Sequence, residues 1–445
     1  MLFRSVNDFP DFFVGGDVRN RYTALAYETA EVIDTKRNEG ALRYTHLLNE
    51  ESDNFALTAS FAKHGQNSIY EGFDYRNDDK VLWLDGKFTF GIGDSHLVSA
   101  GVNLHREKLR SESDALAAVQ ALDPSVYGDS FDYRMAGLYA QDVWNLSDAT
   151  QLSLAARIDQ ISTDYIEQPG GKEIDETLFS PRALLKISHS EQLTSRFSAG
   201  RGYRAPLSFF ESDHGLIEDG YEVEVSDLEK SLSFGYSLNY ADEIFAITGS
   251  LNTTQVENLA FIDFDSGARP VLRNFSDNVR VSTADFDASY QWTGHLNVGA
   301  GGEVFRYSNN YKGTFGIPPI EERARFYLDY SGHNWKAFTQ LTWVGSRNLT
   351  DYATTDRFNI QAPNGALSAP KVSTAPSYFT LDARLERQLG ENWAIYLGGN
   401  NLTDYNQAED EQTPLFFDGD GGYDVVHIYA PLRGRVLYAG FKAKF

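Results

Sequence analysis

The sequence predicts an all-β fold, an antiparallel transmembrane β-barrel, and three observations predict it. Apolar and polar residues alternate at period two along many segments. Short polar turns and long polar loops take turns in joining those segments. Trp, Tyr and Phe gather near the segment ends.

The alternation is plain at residues 231–240, "SLSFGYSLNY". Leu232, Phe234, Tyr236, Leu238 and Tyr240 share one face, and Ser231, Ser233, Gly235, Ser237 and Asn239 share the other. "RARFYLDY" (323–330), "FTLDARLERQ" (379–388) and "QLSLAARIDQ" (151–160) repeat it. A repeat of 180° per residue marks a strand, and no comparable stretch follows the helical period of 3.6. Short turns fall at 145–152, 188–193, 240–245, 292–296, 331–335 and 389–393. Long stretches rich in Asp, Glu, Gly, Asn and Pro fall at 204–228, 256–280, 306–322, 346–376 and 404–433. That is the layout of a membrane barrel, with short periplasmic turns and long outer loops.

A soluble β-sandwich also buries one strand face, so alternation alone leaves both folds open. Length decides between them. The segments run for roughly 10 residues, enough for a tilted membrane crossing, whereas soluble strands average about 5–6. Trp144, Trp292, Trp335, Trp343 and Trp393 sit near segment ends, as interfacial girdles require. About 16 strands are expected.

Composition bounds the partners. The 445 residues carry 63 acidic against 39 basic side chains, a net charge of -24. Such acidity excludes nucleic acid, whose phosphates need Lys and Arg. Much of it lies in the presumed loops, at 211–230 and 404–424. Cysteine is absent, which removes disulfides and thiolate metal sites. No G-x-S-x-G, H-E-x-x-H or phosphate-cradling glycine loop occurs, so neither catalysis nor a cofactor is expected.

Six motifs then follow in order. They are Tyr139, Gln141, Asp142 and Trp144; Arg157 and Asp159; Ser180, Pro181 and Arg182; and Gly202, Tyr203, Arg204, Ala205 and Pro206. "GGNNLTDYN" (398–406) and the closing "PLRGRVLYAGFKAKF" complete the set. Together they resemble the barrel of a TonB-dependent outer-membrane receptor. The resemblance covers at least residues 130–445 and departs from the family at "DLEKSLSFGY" (227–236), which keeps Glu229 but lacks the usual Pro before it.

The resemblance implies a barrel of about 22 strands in the bacterial outer membrane, importing a scarce nutrient, most often a ferric siderophore. Cobalamin, another metal chelate or a glycan are the alternatives, and a passive porin-like channel is the competing class. The implied partners are the TonB-ExbB-ExbD complex, outer-membrane lipid, the barrel-assembly machinery and a small-molecule metal chelate. The plug, the TonB box and the first strands are not recognisable in this sequence. Residues 1–445 are therefore expected to form part of a barrel, with a poorly paired seam between residues 33–48 and 434–445. The opening "MLFRSVNDFPDFFVGG" has no signal-peptide pattern.

Candidate contacts come from the loops. Phe209 and Phe210, with Phe416 and Phe417, either stack on a bulky ligand at the mouth or pack the loops. Glu211, Asp213 and His214 either bind a metal chelate or are solvated surface. Asp418, Asp420 and Asp424 echo the spacing of a calcium loop but lack its distal Glu. Arg204 either reaches a ligand or is structural, with Pro206 marking the strand exit. At the C-terminus, Leu437, Ala439, Phe441, Ala443 and Phe445 are expected to face lipid. The resemblance makes Phe441 and Phe445 part of an assembly signal.

Overall fold

Alternation of apolar and polar side chains lets a strand present one face to lipid and the other to a wet interior. The computed structural model describes residues 31–48, 53–70, 73–166, 172–207, 220–263, 269–315, 317–352, 359–360, 370–417, 423–424 and 427–444. Its main sheet has 17 strands, one more than the sequence tally. The first eight are β1 (Glu31–Leu47), β2 (Asn54–Tyr70), β3 (Phe73–Ile92), β4 (His96–Ser113), β5 (Phe131–Ser147), β6 (Thr150–Tyr165), β7 (Glu173–Ser188) and β8 (Leu193–Arg204). Next come β9 (Glu229–Ala241), β10 (Phe245–Glu257), β11 (Val279–Thr293), β12 (Leu296–Tyr307) and β13 (Glu322–Gly332). β14 (Trp335–Val344), β15 (Tyr378–Leu389), β16 (Trp393–Asn400) and β17 (Val436–Ala443) finish it.

Each strand pairs antiparallel with the next in sequence. Among the described residues no ladder joins β17 to β1, which is the seam the sequence singles out. One end of the sheet carries tight turns. Between β13 and β14, His333 (φ 51°) and Asn334 (φ 67°) both adopt positive φ. That geometry matches the right-handed twist of a two-residue hairpin. The long connections all lie at the other end.

The outward face is apolar. Phe61, Leu104, Leu138, Phe234, Leu251, Phe286 and Leu397 are each about half exposed or more. A continuous apolar surface of this size is a liability in water and a requirement in lipid. Trp144, Trp292, Trp335 and Trp393 form an exposed row at the short-turn end, where an interfacial girdle belongs. Leu437 and Phe441 on β17 are outward and about 70% exposed, while Lys442 turns inward to Glu386 (2.8 Å). Phe445 lies outside the described residues.

The inner wall is polar and ion-paired. Arg325 reaches Asp287 at 2.8 Å, and Arg384 reaches Glu386 at 2.8 Å. Tyrosine rings of this wall lie over glycines on neighbouring strands: Tyr139 over Gly101 and Tyr438 over Gly398. A side chain at either glycine would collide with the ring, so the bare backbone is what lets the aromatic lie flat.

Pro181 shapes β7. It pairs toward β6, opposite Ala156, but the ladder from β7 to β8 ends at Arg182 opposite Gly200. Proline has no N–H to extend it. Beyond that point, through Arg204, β8 pairs only with β9.

Candidate ligand-binding mouth

The motif residues turn out to hold the wall and its rim together. Tyr139 donates to Asp85 (2.9 Å) on the inner face. Asp142 and Trp144 point outward, where His96 bonds Asp142 at 2.9 Å and stacks on Trp144 at 5.1 Å. Arg157 grips Asp159 at 2.6 Å and donates to Asn103 at 2.8 Å. Asp159 is wholly buried by these contacts.

The end of β8 is structural as well. Arg204 sits directly opposite Glu229 and binds its carboxylate with two nitrogens. Glu229, buried, also accepts the Ala260 N–H at 2.9 Å. Arg204 is therefore committed to β9, and the acid that survives at the family's L-x-P-E position is its partner. The Pro206 carbonyl accepts the Tyr165 hydroxyl, fixing the chain as it leaves the strand.

Two apolar clusters pack the loops over the long-loop end. In the first, Tyr75, Phe131, Ile161, Tyr165 and Ile174 at the strand ends receive Tyr221, Val225, Leu228 and Leu272 from two loops. In the second, Val344, Leu349, Ala375 and Tyr378 receive Tyr429 and Ala430. Local sequence explains the last loop. Asn401 (φ 49°) and Asp404 (φ 65°) adopt the left-handed conformation that Asn and Asp tolerate. Asn401 donates to the carbonyls of Tyr405 (2.8 Å) and Arg433 (3.1 Å), and Asp404 accepts from Arg435. "NNLTDYN" is thus a lock on the loop, not a ligand site.

Gln407 closes that loop from within. Wholly buried, it donates to the carbonyls of Gln412 (3.1 Å) and His427 (2.9 Å) and accepts the N–H groups of Tyr429 (2.8 Å) and Ala430 (3.0 Å). Phe416 and Phe417 are buried here too, in the loop-packing arrangement, one of the two readings open to the sequence. Their apolar area is spent on loop packing: Phe416 meets His427 edge-on at 5.4 Å, with Lys371 over its face at 4.9 Å. Burial, then the charge of Lys371, pulls the His427 pKa down to about 4.

Of the remaining candidates, Phe209, Phe210, Glu211, Asp213, His214, Asp418 and Asp420 lie outside the described residues. Asp424 belongs to a two-residue strand opposite Phe416. Among the described residues no cluster of His, Asp or Glu is arranged to hold a metal.

Sequence reasoning missed a different group at the rim, between β12 and β15. Tyr307, Tyr311, Phe315 and Tyr352 form a chain of ring contacts 4.6 to 6.2 Å apart. Lys312 lies over Tyr352 at 5.3 Å and pairs with Glu321 (2.6 Å) and Asp351 (3.2 Å). Burial opposes the Lys312 charge, but its bonds to Glu321 and Asp351 outweigh it and raise the pKa. The Tyr352 phenol is raised by burial and by donation to Glu321. Arg347, buried beside them, donates to the Tyr429 carbonyl and so ties this rim to the last loop. Clustered Tyr and Phe in the loop sequence are the only signal of this group. The faces of Tyr307, Tyr311 and Phe315 suit a flat, partly apolar ligand, the cations behind them being held by Glu321, Asp351 and the Tyr429 carbonyl.

The comparisons agree with this architecture. By sequence, no curated protein matches the chain. Solved structures match it at low identity. An FrpB iron transporter from Neisseria meningitidis (F5-1 variant) is 16% identical with a TM-score of 0.73, covering 99% of this chain and 68% of its own. The copper transporter OprC is 15% identical with a TM-score of 0.69, covering 94% and 68%. The unliganded ferric citrate transporter FecA is 12% identical with a TM-score of 0.65, covering 93% and 62%. The chain thus spans about two thirds of these proteins, and at such identities the likeness is one of fold. The model of the TonB dependent receptor-like β-barrel family matches residues 3–402, and the chain belongs to that family.

Proposed function

We propose that residues 1–445 form barrel of an outer-membrane importer that takes up a scarce metal chelate, a ferric siderophore above all. The observation that carries this reading is the rim group of Tyr307, Tyr311 and Phe315, backed by buried Tyr352 and by Lys312, at the long-loop end of a barrel with a polar wall. The transport of iron, ferric citrate and copper by proteins of the same fold supports the substrate class. Import, not catalysis, is the family's business, and energy would come from a TonB-ExbB-ExbD complex acting on the whole receptor. Phe209, Phe210, Glu211, Asp213 and His214, on the connection from β8 to β9, are proposed as further ligand contacts. Asp418, Asp420 and Asp424 are proposed as a weak cation site.

The test is ligand binding to the purified protein in detergent, followed by quenching of tyrosine and tryptophan fluorescence. A ferric siderophore should quench saturably, and the metal-free form should bind at least about tenfold more weakly, since its charge and shape differ. Tyr311→Ala with Phe315→Ala should weaken binding by a similar factor, about 0.5–1.5 kcal/mol per ring contact. Absence of binding by any chelate, with a large and steady current across planar bilayers, would instead identify a passive channel.

A further inference from the structure

The outer wall of β2 to β5 carries an arrangement that the transport reading does not use. Above the apolar belt, on the long-loop side, three lysines stand side by side in one register row. Lys63 is opposite Lys80, and Lys80 is opposite Lys108. In the row beneath, Arg106 is opposite Arg134. Like charges directly opposite in a sheet repel and destabilise it. With strands about 4.8 Å apart, the row of lysines spans about 10 Å. Two residues further toward the short turns, the same face carries Leu84 and Leu104, exposed and apolar. The cations therefore sit at the level where lipid tails give way to headgroups.

Their own carboxylates do not cover them. Asp78 bonds Lys63 (2.7 Å) and Lys80 (2.6 Å). Asp132 gathers Arg106 (2.7 Å), Arg134 (3.1 Å) and Lys108 (3.9 Å). Asp132 is only 6% exposed, while its three cations remain 51%, 54% and 37% exposed. Asp132 lies beneath its cations, whose tips face out, whereas Asp78 is itself 37% exposed beside Lys63 and Lys80. Arg110, opposite Asp78, extends the patch upward. Seven cations, counting Arg76 opposite Glu112, share this face with Asp78, Glu112, Asp132, Asp164 and Glu173, in a chain whose net charge is -24.

We propose that this wall binds the phosphate groups of an outer-leaflet lipid. Lys and Arg heads supply charge-assisted hydrogen bonds to phosphate oxygens, and Arg does so bidentately. The apolar belt directly below holds the acyl chains of the same molecule, which selects a lipid over a free anion. The site is on the outside of the barrel, so its fate is independent of any ligand in the lumen.

The experiment titrates the detergent-purified protein with diphosphorylated lipid A and counts bound lipid by native mass spectrometry. Saturable binding is expected, weakening when either phosphate is removed from the lipid. Lys80→Gln with Lys108→Gln should cost roughly twentyfold in affinity, about fivefold per cation near a charged membrane surface. Asp78→Asn, which removes an internal carboxylate, should tighten binding several-fold. Heat-modifiable mobility checks that each variant folds, and the Asp78 variant decides the matter if the lysine variant does not. Unchanged affinity in the folded lysine variant, or no tightening in Asp78→Asn, would overturn the proposal. So would equal competition by inorganic phosphate at the same concentration, which would make the site one for a free anion.

Discussion

Acid should release the loop between β16 and β17, with His427 as the trigger. The ring is 4% exposed, edge-on to Phe416 at 5.4 Å and to Tyr429 at 5.5 Å, and its Nε2 has no hydrogen-bond partner among the described residues. Burial and Lys371 hold its pKa at about 4, against about 6.5 once the loop opens. A base with a depressed pKa stabilises the closed state as the neutral ring. That contribution is fully present above the open-state value and is lost as pH falls from 6.5 toward 4. Between pH 7 and pH 5 the loss is ~2 kcal/mol, levelling near ~3 kcal/mol below pH 4. The open population should therefore rise by roughly thirtyfold at pH 5. Hydrogen exchange of the peptides covering 401–417 and 427–435, corrected for intrinsic rates, reads it directly. His427→Phe keeps the edge-on packing and should abolish the response. A His427 ring titrating near 6.5 in the folded protein, or an equal acid response in the Phe variant, would refute the reasoning.

The other expectations concern the locks of the mouth and wall. Gln407→Ala strands the N–H groups of Tyr429 and Ala430 and the carbonyls of Gln412 and His427. Protease should then cut the last loop much faster, the closed state having lost about 2–4 kcal/mol. Glu229→Gln leaves Arg204 without its carboxylate, and urea unfolding should show a loss of about 2 kcal/mol. Removal of Arg204 with it should recover part of that loss. Gly398→Ala drives a methyl group into the Tyr438 ring and should cost about 1–3 kcal/mol, recovered largely by Tyr438→Ser in the same chain.

Class and strand faces were legible because they are local. The alternation at 231–240 and 323–330 follows from a backbone that turns each successive side chain to the opposite face, so the lipid side of β9 and β13 is written in the residues themselves. The same holds at β17, where Leu437 and Phe441 face out and Lys442 faces in. Trp144, Trp292, Trp335 and Trp393 were readable as a girdle for the same reason, each lying at the end of a countable strand.

What the sequence determined by itself was the barrel class, the lipid face and the alternation of short turns with long loops. Pairing was decided only in three dimensions. Nothing local links Arg204 to Glu229, 25 residues on, or aligns Lys63, Lys80 and Lys108 in one row; that needs the register of each ladder. Phe416 and Phe417 show the same limit, since aromatic side chains in an acidic loop fit a ligand site and a loop core equally well. Folding buried both and placed Phe416 against His427 and under Lys371, beside the loop that Gln407 closes. Periodicity is a property of neighbouring residues, whereas register and loop closure belong to residues far apart in the chain.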